Sequence, residues 1–355
     1  MRTDQGKPRW ARQAVTVLAK LLAIALAGTA LNWWYGQAQA ALPAALLFLA
    51  GTYLVVEATE EFVEGILGTA VLLAVSPFAL GVVFGGFDPE NLGAGLAGAA
   101  QGLPGVALGT VIGSSTFLLT VALGLAALLV PLQVEVPRRH ILLTLVSPLP
   151  LLLFSLDGRV ARWEGLVLLL LFLPAIVLIL QGSRVQGRAY QRKEEVEEVL
   201  EHKEERPVWF YLLLMIASLV FITWGAGLMG EGAKGLVQSL GISDTLLGMV
   251  FVAAAVCFEE IAREVIPAYR GHPEISIGNI LGTVLFFALF NVGLIALAVP
   301  LQVEPSVLTL HWPFMLGALV LVSAFLLTRR VERMQGAVLL AYYALYLVAS
   351  FGWGR

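Results

Sequence analysis

Long apolar runs, separated by short polar stretches, extend along the chain from about residue 10 to its end. A helix that crosses the hydrocarbon core of a bilayer needs about 20 apolar residues. The runs predict eleven spanning helices, at roughly 10–32, 40–60, 65–86 with a continuation to 101, 104–131, 139–156, 164–182, 207–229, 242–269, 275–300, 306–328 and 335–353. No small-residue cleavage site follows the first run, so we interpret it as a spanning helix and not as a removed signal peptide. We therefore expect an all-α polytopic membrane protein.

The composition supports a membrane protein. The chain has 355 residues, of which 59% are hydrophobic and 13% are charged, and its mean hydropathy is +0.86, whereas about a quarter of a soluble chain is charged. A single cysteine, Cys257, excludes a disulfide framework and a Cys-based metal cluster. The net charge of −3 comes with no basic tract for nucleic acid. We expect a lipid bilayer as the surroundings, no nucleic-acid partner and no cofactor. The oligomeric state, a homo-oligomer included, stays open.

The distribution of Lys and Arg predicts the orientation. Cytoplasmic loops carry an excess of these residues. With a cytoplasmic N-terminus, eleven spans place only Arg159, Arg162, Lys234 and Arg355 outside, and the charged 183–206 stretch inside. We expect the N-terminus and this stretch in the cytoplasm, and the protein in the plasma membrane of a prokaryote.

One membrane segment occurs twice. "GTVIGSSTFLLTVALGLAALLVPLQVE" (Gly109–Glu135) and "GNILGTVLFFALFNVGLIALAVPLQVE" (Gly278–Glu304) align at a constant offset of 169 residues. Five predicted spans lie on each side of the charged stretch, and since five is odd, the second copy enters the membrane in the opposite orientation. This is the inverted-repeat organisation of secondary transporters. The predicted divisions are an extra helix (1–35), the first five-helix repeat (36–182), a linker (183–206) and the second, inverted repeat (207–355).

Acidic residues recur at equivalent places in both copies. At the same offset Glu90 pairs with Glu259 and Asn91 with Glu260, and Asp88 precedes the first pair. A charged residue at the centre of a bilayer costs about 3 kcal/mol on insertion scales. The structural alternative is a protonated carboxyl group bonded to the backbone. We favour a shared cation site, because carboxylates in both copies are hard to explain by packing.

Hydroxyl groups downstream could add ligands. Ser114 and Thr283 occupy equivalent positions next to Gly113 and Gly282. Small residues of this kind allow close helix approach, and the hydroxyls can either bind a cation or form interhelical hydrogen bonds.

These motifs resemble the α-repeats of the calcium/cation antiporter superfamily, which includes sodium/calcium and calcium/proton exchangers. The repeat has the form "G-I-S-x-x-x-x-G…PE", followed by "G-N-x-x-G-S". The second half reads "GISDTLLGMVFVAAAVCFEE…GNILGT", and the first half keeps the Pro89–Glu90 pair. The resemblance covers about residues 40–353.

The resemblance implies exchange of Ca²⁺ for Na⁺ or H⁺, with the two repeat glutamates as ligands. On this sequence we assign Glu90 and Glu260, followed by Glu259 and Asp88. The family interval would instead select Asn91 in the first copy, and neighbouring helical positions point about 100° apart. The metal set is therefore predicted as Glu90, Glu260, Glu259, Asp88, Asn91, Ser114 and Thr283.

The counter-ion is predicted from residues that differ from the sodium-coupled members of the superfamily. Those members carry Thr-Ser before the repeat glutamate, where this chain has Val256 and Cys257. They also carry Asn or Asp where this chain has Leu118 and Phe287. We expect a calcium/proton antiporter that works by alternating access. The alternatives are a sodium/calcium exchanger, an intramembrane enzyme that uses Asp88, Glu90 and Glu260 as acids and bases, and a passive channel or non-transporting receptor. The repeated carboxylates favour an antiporter over an enzyme.

Overall fold

The chain folds into helices joined by short loops. The computed structural model describes residues 9–38, 40–72, 88–184, 207–269 and 273–353. The helices are α1 (Arg9–Ala38), α2 (Ala41–Leu72), α3 (Pro89–Ala100), α4 (Pro104–Leu129), α5 (Arg138–Val146), α6 (Leu149–Ser155), α7 (Arg162–Arg184), α8 (Val208–Leu240), α9 (Asp244–Val256), α10 (Phe258–Tyr269), α11 (273–298), α12 (Val307–Leu327) and α13 (Arg333–Trp353). Four short strands are β1 (Leu132–Gln133), β2 (Arg159–Val160), β3 (Leu301–Gln302) and β4 (Arg330–Val331).

The predicted all-α membrane fold is confirmed. Within the described residues, seven helices are long and apolar enough to cross a bilayer. The count of eleven spans stays a prediction, because part of the third predicted span (73–87) and most of the predicted linker (185–206) lie outside the described residues.

The sequence repeat is also a structural repeat. Helices α3 and α10 are both 12 residues long and begin 169 residues apart, at Pro89 and Phe258. The long helices α4 and α11 end 169 residues apart as well, at Leu129 and Ala298. Strands β1 and β3 follow at the same offset. The two copies therefore adopt the same local structure over this region.

The long helices contain π-helical turns, which the apolar pattern does not predict. Such turns lie at Gly109–Gly113 and Leu118–Ala122 in α4, and at Phe286–Asn291 in α11. The last two occupy matching places in the two copies. A π-turn shifts the direction of the side chains that follow it, and such turns are frequent at functional sites.

Residues 85–190 and 236–355 form the larger of two compact units. Inside it the copies pack reciprocally: α7 of the first copy packs on the end of α11, and α13 of the second packs on the end of α4. Glycines allow both approaches, since a Cβ atom at Gly165 would lie 2.7 Å from the Gly293 carbonyl oxygen, and one at Gly336 would lie 2.7 Å from that of Gly124. Reciprocal contacts of this kind are what a two-fold relation between copies produces.

The repeated "PLQVE" segments form short strands that cross between the copies. Strand β1 pairs with β4, and β2 pairs with β3, both antiparallel. If the chain crosses the membrane eleven times, the two loops that each strand pair joins lie on the same face of the membrane. The pairing therefore agrees with the predicted order of crossings.

Residues 1–84 and 191–235 form the smaller unit, which contains α1, α2 and most of α8. Its core includes Leu21 of α1, Leu47 of α2 and Leu228 of α8. Lys20 of α1 and Glu57 of α2 form an ion pair. Both compact units combine segments from the two halves of the sequence, and the predicted sequence divisions stay predictions.

Candidate functional site

Two half-helices begin at equivalent positions inside the larger unit. Asp88 precedes α3 and Cys257 precedes α10, again at the offset of 169. Cys257 has φ −97° and ψ 7°, which ends α9 and interrupts the path of the backbone before α10. A helix end leaves backbone groups without intrahelical partners, and such interruptions are tolerated in a membrane where they line a cavity or are buried in protein.

In the first copy, Asp88, Asn91 and Ser114 form one hydrogen-bonded group. Asp88 caps α3: its Oδ1 accepts from the Asn91 backbone N–H at 3.0 Å, and its Oδ2 accepts from Asn91 Nδ2 at 2.5 Å. Ser114 Oγ, on α4, donates to Asn91 Oδ1 at 2.6 Å. The amide of Asn91 is thus held from both sides, with its side chain fully buried.

This group contacts the second copy at the helix break. Asn91 Nδ2 lies 3.5 Å from Cys257 Sγ. Cys257 is itself fully buried, and Glu260 follows it by three positions on the first turn of α10. Side chains from both copies therefore meet at the place where the two half-helices begin.

In the second copy, one amide holds two carboxylates. Asn279 Nδ2, on α11, donates to Glu260 Oε2 at 3.1 Å and to Glu264 Oε1 at 2.8 Å. Ser276 Oγ donates to the backbone carbonyl oxygen of Glu264 at 2.6 Å. The polar residues of α11 therefore join it to α10 along one helical turn.

The carboxyl groups of the site are deeply buried. Asp88 and Glu260 are 2% exposed, and Glu90 and Glu264 are 0% exposed. Buried charges need compensation by hydrogen bonds, a counter-charge or a bound cation. A site of this composition can hold a hard cation with carboxylate, amide and hydroxyl oxygens.

The comparison with known protein families agrees with this geometry. The profile of the family described as "Sodium/calcium exchanger protein" matches residues 43–181 and 210–352, one stretch for each copy. The chain belongs to the sodium/calcium exchanger family. It is accordingly a membrane antiporter and not an enzyme.

Relatives and solved structures of the sodium/calcium exchanger family match most of the chain. The putative antiporter CaxA of Alkalimonas amylolytica is 28% identical over 322 residues, which cover 87% of this chain and 99% of that protein. The sodium/calcium exchanger MaX1 of Methanosarcina acetivorans is 25% identical over 347 residues, covering 86% and 98%. A structure of the sodium-calcium exchanger NCX_Mj superposes with a TM-score of 0.54 at 24% identity, over 87% of this chain and 99% of that one. This likeness shows a shared fold.

Three of the predicted ligands of this exchanger-family chain come together. Asp88 and Ser114 both bond to Asn91, which lies 3.5 Å from Cys257. Glu260 follows Cys257 by three positions and accepts a hydrogen bond from Asn279. Glu90 is buried on the first turn of α3, and its direction differs by about 100° from that of the adjacent Asn91. Thr283 is buried on α11, one turn after Asn279. The side chain of Glu259 lies outside the described part of the structure.

Carboxylates alone do not provide the ligands of a cation site here. In the described part of the chain, no three His, Cys, Asp or Glu side chains converge in the manner of a metal-binding group. A cation here would therefore need amide, hydroxyl or backbone oxygens in addition to carboxylates, as Ca²⁺ ligation commonly does.

Glu264 is a buried carboxylate of the site that the sequence prediction missed. A sequence signal existed, because Glu264 follows Glu260 by four positions and residues at that spacing share a helix face. The equivalent position in the first copy is Gly95. A search for carboxylates that occur in both copies therefore does not find Glu264.

Proposed function

We propose that this protein exchanges Ca²⁺, or a similar divalent cation, for H⁺ by alternating access. The observation that carries the proposal is the buried polar cluster at the helix break, where Asp88, Asn91 and Ser114 of one copy meet Cys257 of the other, three positions before the buried Glu260. Inverted-repeat transporters bind their ions at such a junction of interrupted helices.

The charge of the site suits a divalent cation. Ca²⁺ is bound by six to eight oxygen ligands at about 2.3–2.6 Å, drawn from carboxylates, amides, backbone carbonyls and water. We infer that Glu260 supplies charge from the second copy, and Asp88 or Glu90 from the first. Asn91, Ser114, Thr283 and Glu259 complete the proposed set. Because burial disfavours the charged form of a carboxyl group, protons compete with the cation for these ligands.

The surroundings of the site support H⁺ over Na⁺ as the counter-ion. Leu118 and Phe287 are fully buried at the two places where sodium-coupled relatives are expected to carry oxygen ligands. Binding several Na⁺ ions at once requires many oxygen atoms, and these two positions offer none.

The alternative is Na⁺/Ca²⁺ exchange. It is supported by the sodium/calcium exchanger MaX1, at 25% identity over nearly the whole chain. The two alternatives make opposite predictions about which gradient drives cation uptake.

The proposed orientation places the N-terminus and residues 183–206 in the cytoplasm, with the protein in a prokaryotic plasma membrane. The support is the excess of Arg in the loops around β1 and β4, which include Arg138, Arg139 and Arg329. The loops around β2 and β3 contain Arg159 and Arg162, and cytoplasmic loops carry the excess of positive residues.

Flux into proteoliposomes tests the function. The purified protein is reconstituted, a proton or a sodium gradient is imposed separately, and uptake of radiolabelled Ca²⁺ is followed. We expect the proton gradient to drive uptake and the sodium gradient to have little effect. Uptake under the sodium gradient alone would establish the alternative, and uptake under neither gradient would reject divalent-cation exchange.

A single substitution tests the assignment of the site. Glu260→Gln keeps the size of the side chain and one oxygen that can accept from Asn279 but removes the charge, so Ca²⁺ uptake should fall to the level of empty vesicles. Glu332→Gln is the matched control, because that exposed carboxylate lies before α13 and away from the cluster. Wild-type uptake by Glu260→Gln would remove Glu260 from the proposed ligands.

A further inference from the structure

The side-chain amide of Asn279 donates hydrogen bonds to two carboxylates. Its Nδ2 carries two hydrogen atoms, and the two bonds, to Glu260 at 3.1 Å and to Glu264 at 2.8 Å, use both. Glu260 is 2% exposed and Glu264 is 0% exposed. The orientation of the Glu260 carboxylate is therefore linked to that of Glu264 through one buried amide.

Helix geometry makes this link short. Glu260 and Glu264 are four residues apart on α10 and so lie on the same face, one turn from each other. Ser276 Oγ donates to the Glu264 backbone carbonyl at 2.6 Å and holds α11 against α10 at this level. Glu264 thus reaches Asn279 from a backbone position that is itself fixed.

The first copy has no corresponding link. At the offset of 169, the first copy has Gly95 at the position equivalent to Glu264 and Thr110 at the position equivalent to Asn279. A Cβ atom at Gly95 would lie 2.7 Å from Thr110 Oγ1, so the helices are in direct contact there, and Thr110 Oγ1 donates to the Ala107 carbonyl within its own helix. The fold therefore joins these helices without a carboxylate in one copy, which points to a role for Glu264 beyond helix packing.

We propose that Glu264 is a positioning residue that acts through Asn279 to hold the Glu260 carboxylate in the orientation that binds the divalent cation. The inference rests on the proposed function. Without Glu264, one N–H of the Asn279 amide loses its partner and the amide can rotate. Glu260 then has more orientations to lose when the cation binds, and a ligand that is not preorganised binds more weakly.

The first measurement is the Ca²⁺ dependence of uptake and of equilibrium binding of radiolabelled Ca²⁺ to the purified protein. We expect Glu264→Ala to raise the half-saturating Ca²⁺ concentration about tenfold, which corresponds to about 1.4 kcal/mol, while the maximal rate is largely kept. Glu264→Gln should stay within about threefold of wild type, because its amide oxygen accepts the same hydrogen bond. Glu332→Gln again serves as the control.

A double-mutant cycle tests whether Glu264 acts through Asn279. If it does, Glu264→Ala should have no further effect on Ca²⁺ affinity in protein that already carries Asn279→Ala. Additive effects of the two substitutions would overturn the proposal.

Three other outcomes would also overturn it, and they differ from a failure of the proposed function. Loss of uptake in Glu264→Gln, to the level of Glu260→Gln, would make Glu264 a ligand itself. Unchanged Ca²⁺ affinity in Glu264→Ala would remove any role in positioning. Failure of both Glu264→Ala and Glu264→Leu to fold, with Glu264→Gln intact, would show that the hydrogen bond serves the fold. If the wild-type protein neither binds nor moves Ca²⁺, the proposed function itself fails.

Discussion

At the scale of the residue, Asp88 accepts two hydrogen bonds from Asn91. Its Oδ1 caps α3 through the Asn91 backbone N–H, and its Oδ2 accepts from Asn91 Nδ2. Asp and Asn are about equally good N-caps, whereas Ala is not. The substitution Asp88→Asn therefore keeps the cap without the charge, but its single acceptor oxygen cannot accept both bonds from Asn91.

The substitution Asp88→Asn is expected to abolish Ca²⁺ uptake and to lower the melting temperature of the purified protein less than Asp88→Ala does, because the cap of α3 is kept. Asp88→Ala should abolish uptake and in addition lower stability by about 1 kcal/mol, because the cap is lost. Thermal melting in detergent and uptake in proteoliposomes measure the two effects. Full uptake by Asp88→Asn would instead assign the charge of the first copy to Glu90, and Glu90→Gln would then be the inactive variant.

At the scale of the element, the helices that carry the site approach each other at glycines. Gly109, in a π-helical turn of α4, faces Gly248, in a π-helical turn of α9. A Cβ atom at Gly109 would overlap the Gly248 backbone. Gly113 is similarly close to Met249. The sequence predicted close helix approach at Gly113 and Gly282. The structure shows α9 as the partner of Gly113, whereas a Cβ atom at Gly282 would meet no described atom within 4 Å.

We expect Gly109→Ala to destabilise the protein by about 1–3 kcal/mol, the usual range for an overfilled interior. The overlap is with backbone atoms, which cannot move aside as the end of a side chain could. Gly36→Ala is the matched control, because Gly36 is exposed in α1 and has open space around its Cα. Melting temperatures in the same detergent compare the two, and equal melting temperatures would contradict the packing described for Gly109.

At the scale of the whole molecule, the order of membrane crossings follows from an odd number of spans per repeat and from the distribution of positive residues. The strand pairs β1–β4 and β2–β3 join loops predicted on the same face. Asp157, beside β2, and Glu332, beside β4, are both exposed and lie in loops predicted on opposite faces. The accessibility of these two positions from outside the cell therefore shows the orientation of the protein in the membrane.

Labelling of an introduced cysteine in intact cells measures the orientation. Asp157→Cys should react with a membrane-impermeant maleimide added outside, and Glu332→Cys should react only after the membrane is opened. The wild-type chain is the blank, because its one cysteine, Cys257, is fully buried. The reverse pattern of labelling would invert the proposed orientation, and labelling of both from outside would contradict the predicted crossings.

Much of the fold could be predicted because its signals are local or periodic. The spans follow from apolar length, since the bilayer imposes a minimum. The inverted arrangement follows from counting spans between two similar segments. The π-helical turns and the "PLQVE" strands could not be predicted, because they depend on which helices and loops become neighbours.

The sequence by itself determined that this is an all-helical membrane protein with two related halves, and it predicted that acidic residues at matching places take part in its function. Burial of carboxylates in a bilayer is costly enough for that pattern to be informative. Only the tertiary structure decided which polar side chains meet. Neighbouring positions on a helix point about 100° apart, so the register between Asn91, Ser114 and Cys257 required the packed helices. The link from Glu264 through Asn279 to Glu260 crosses from α10 to α11, and the composition of either helix alone does not reveal it.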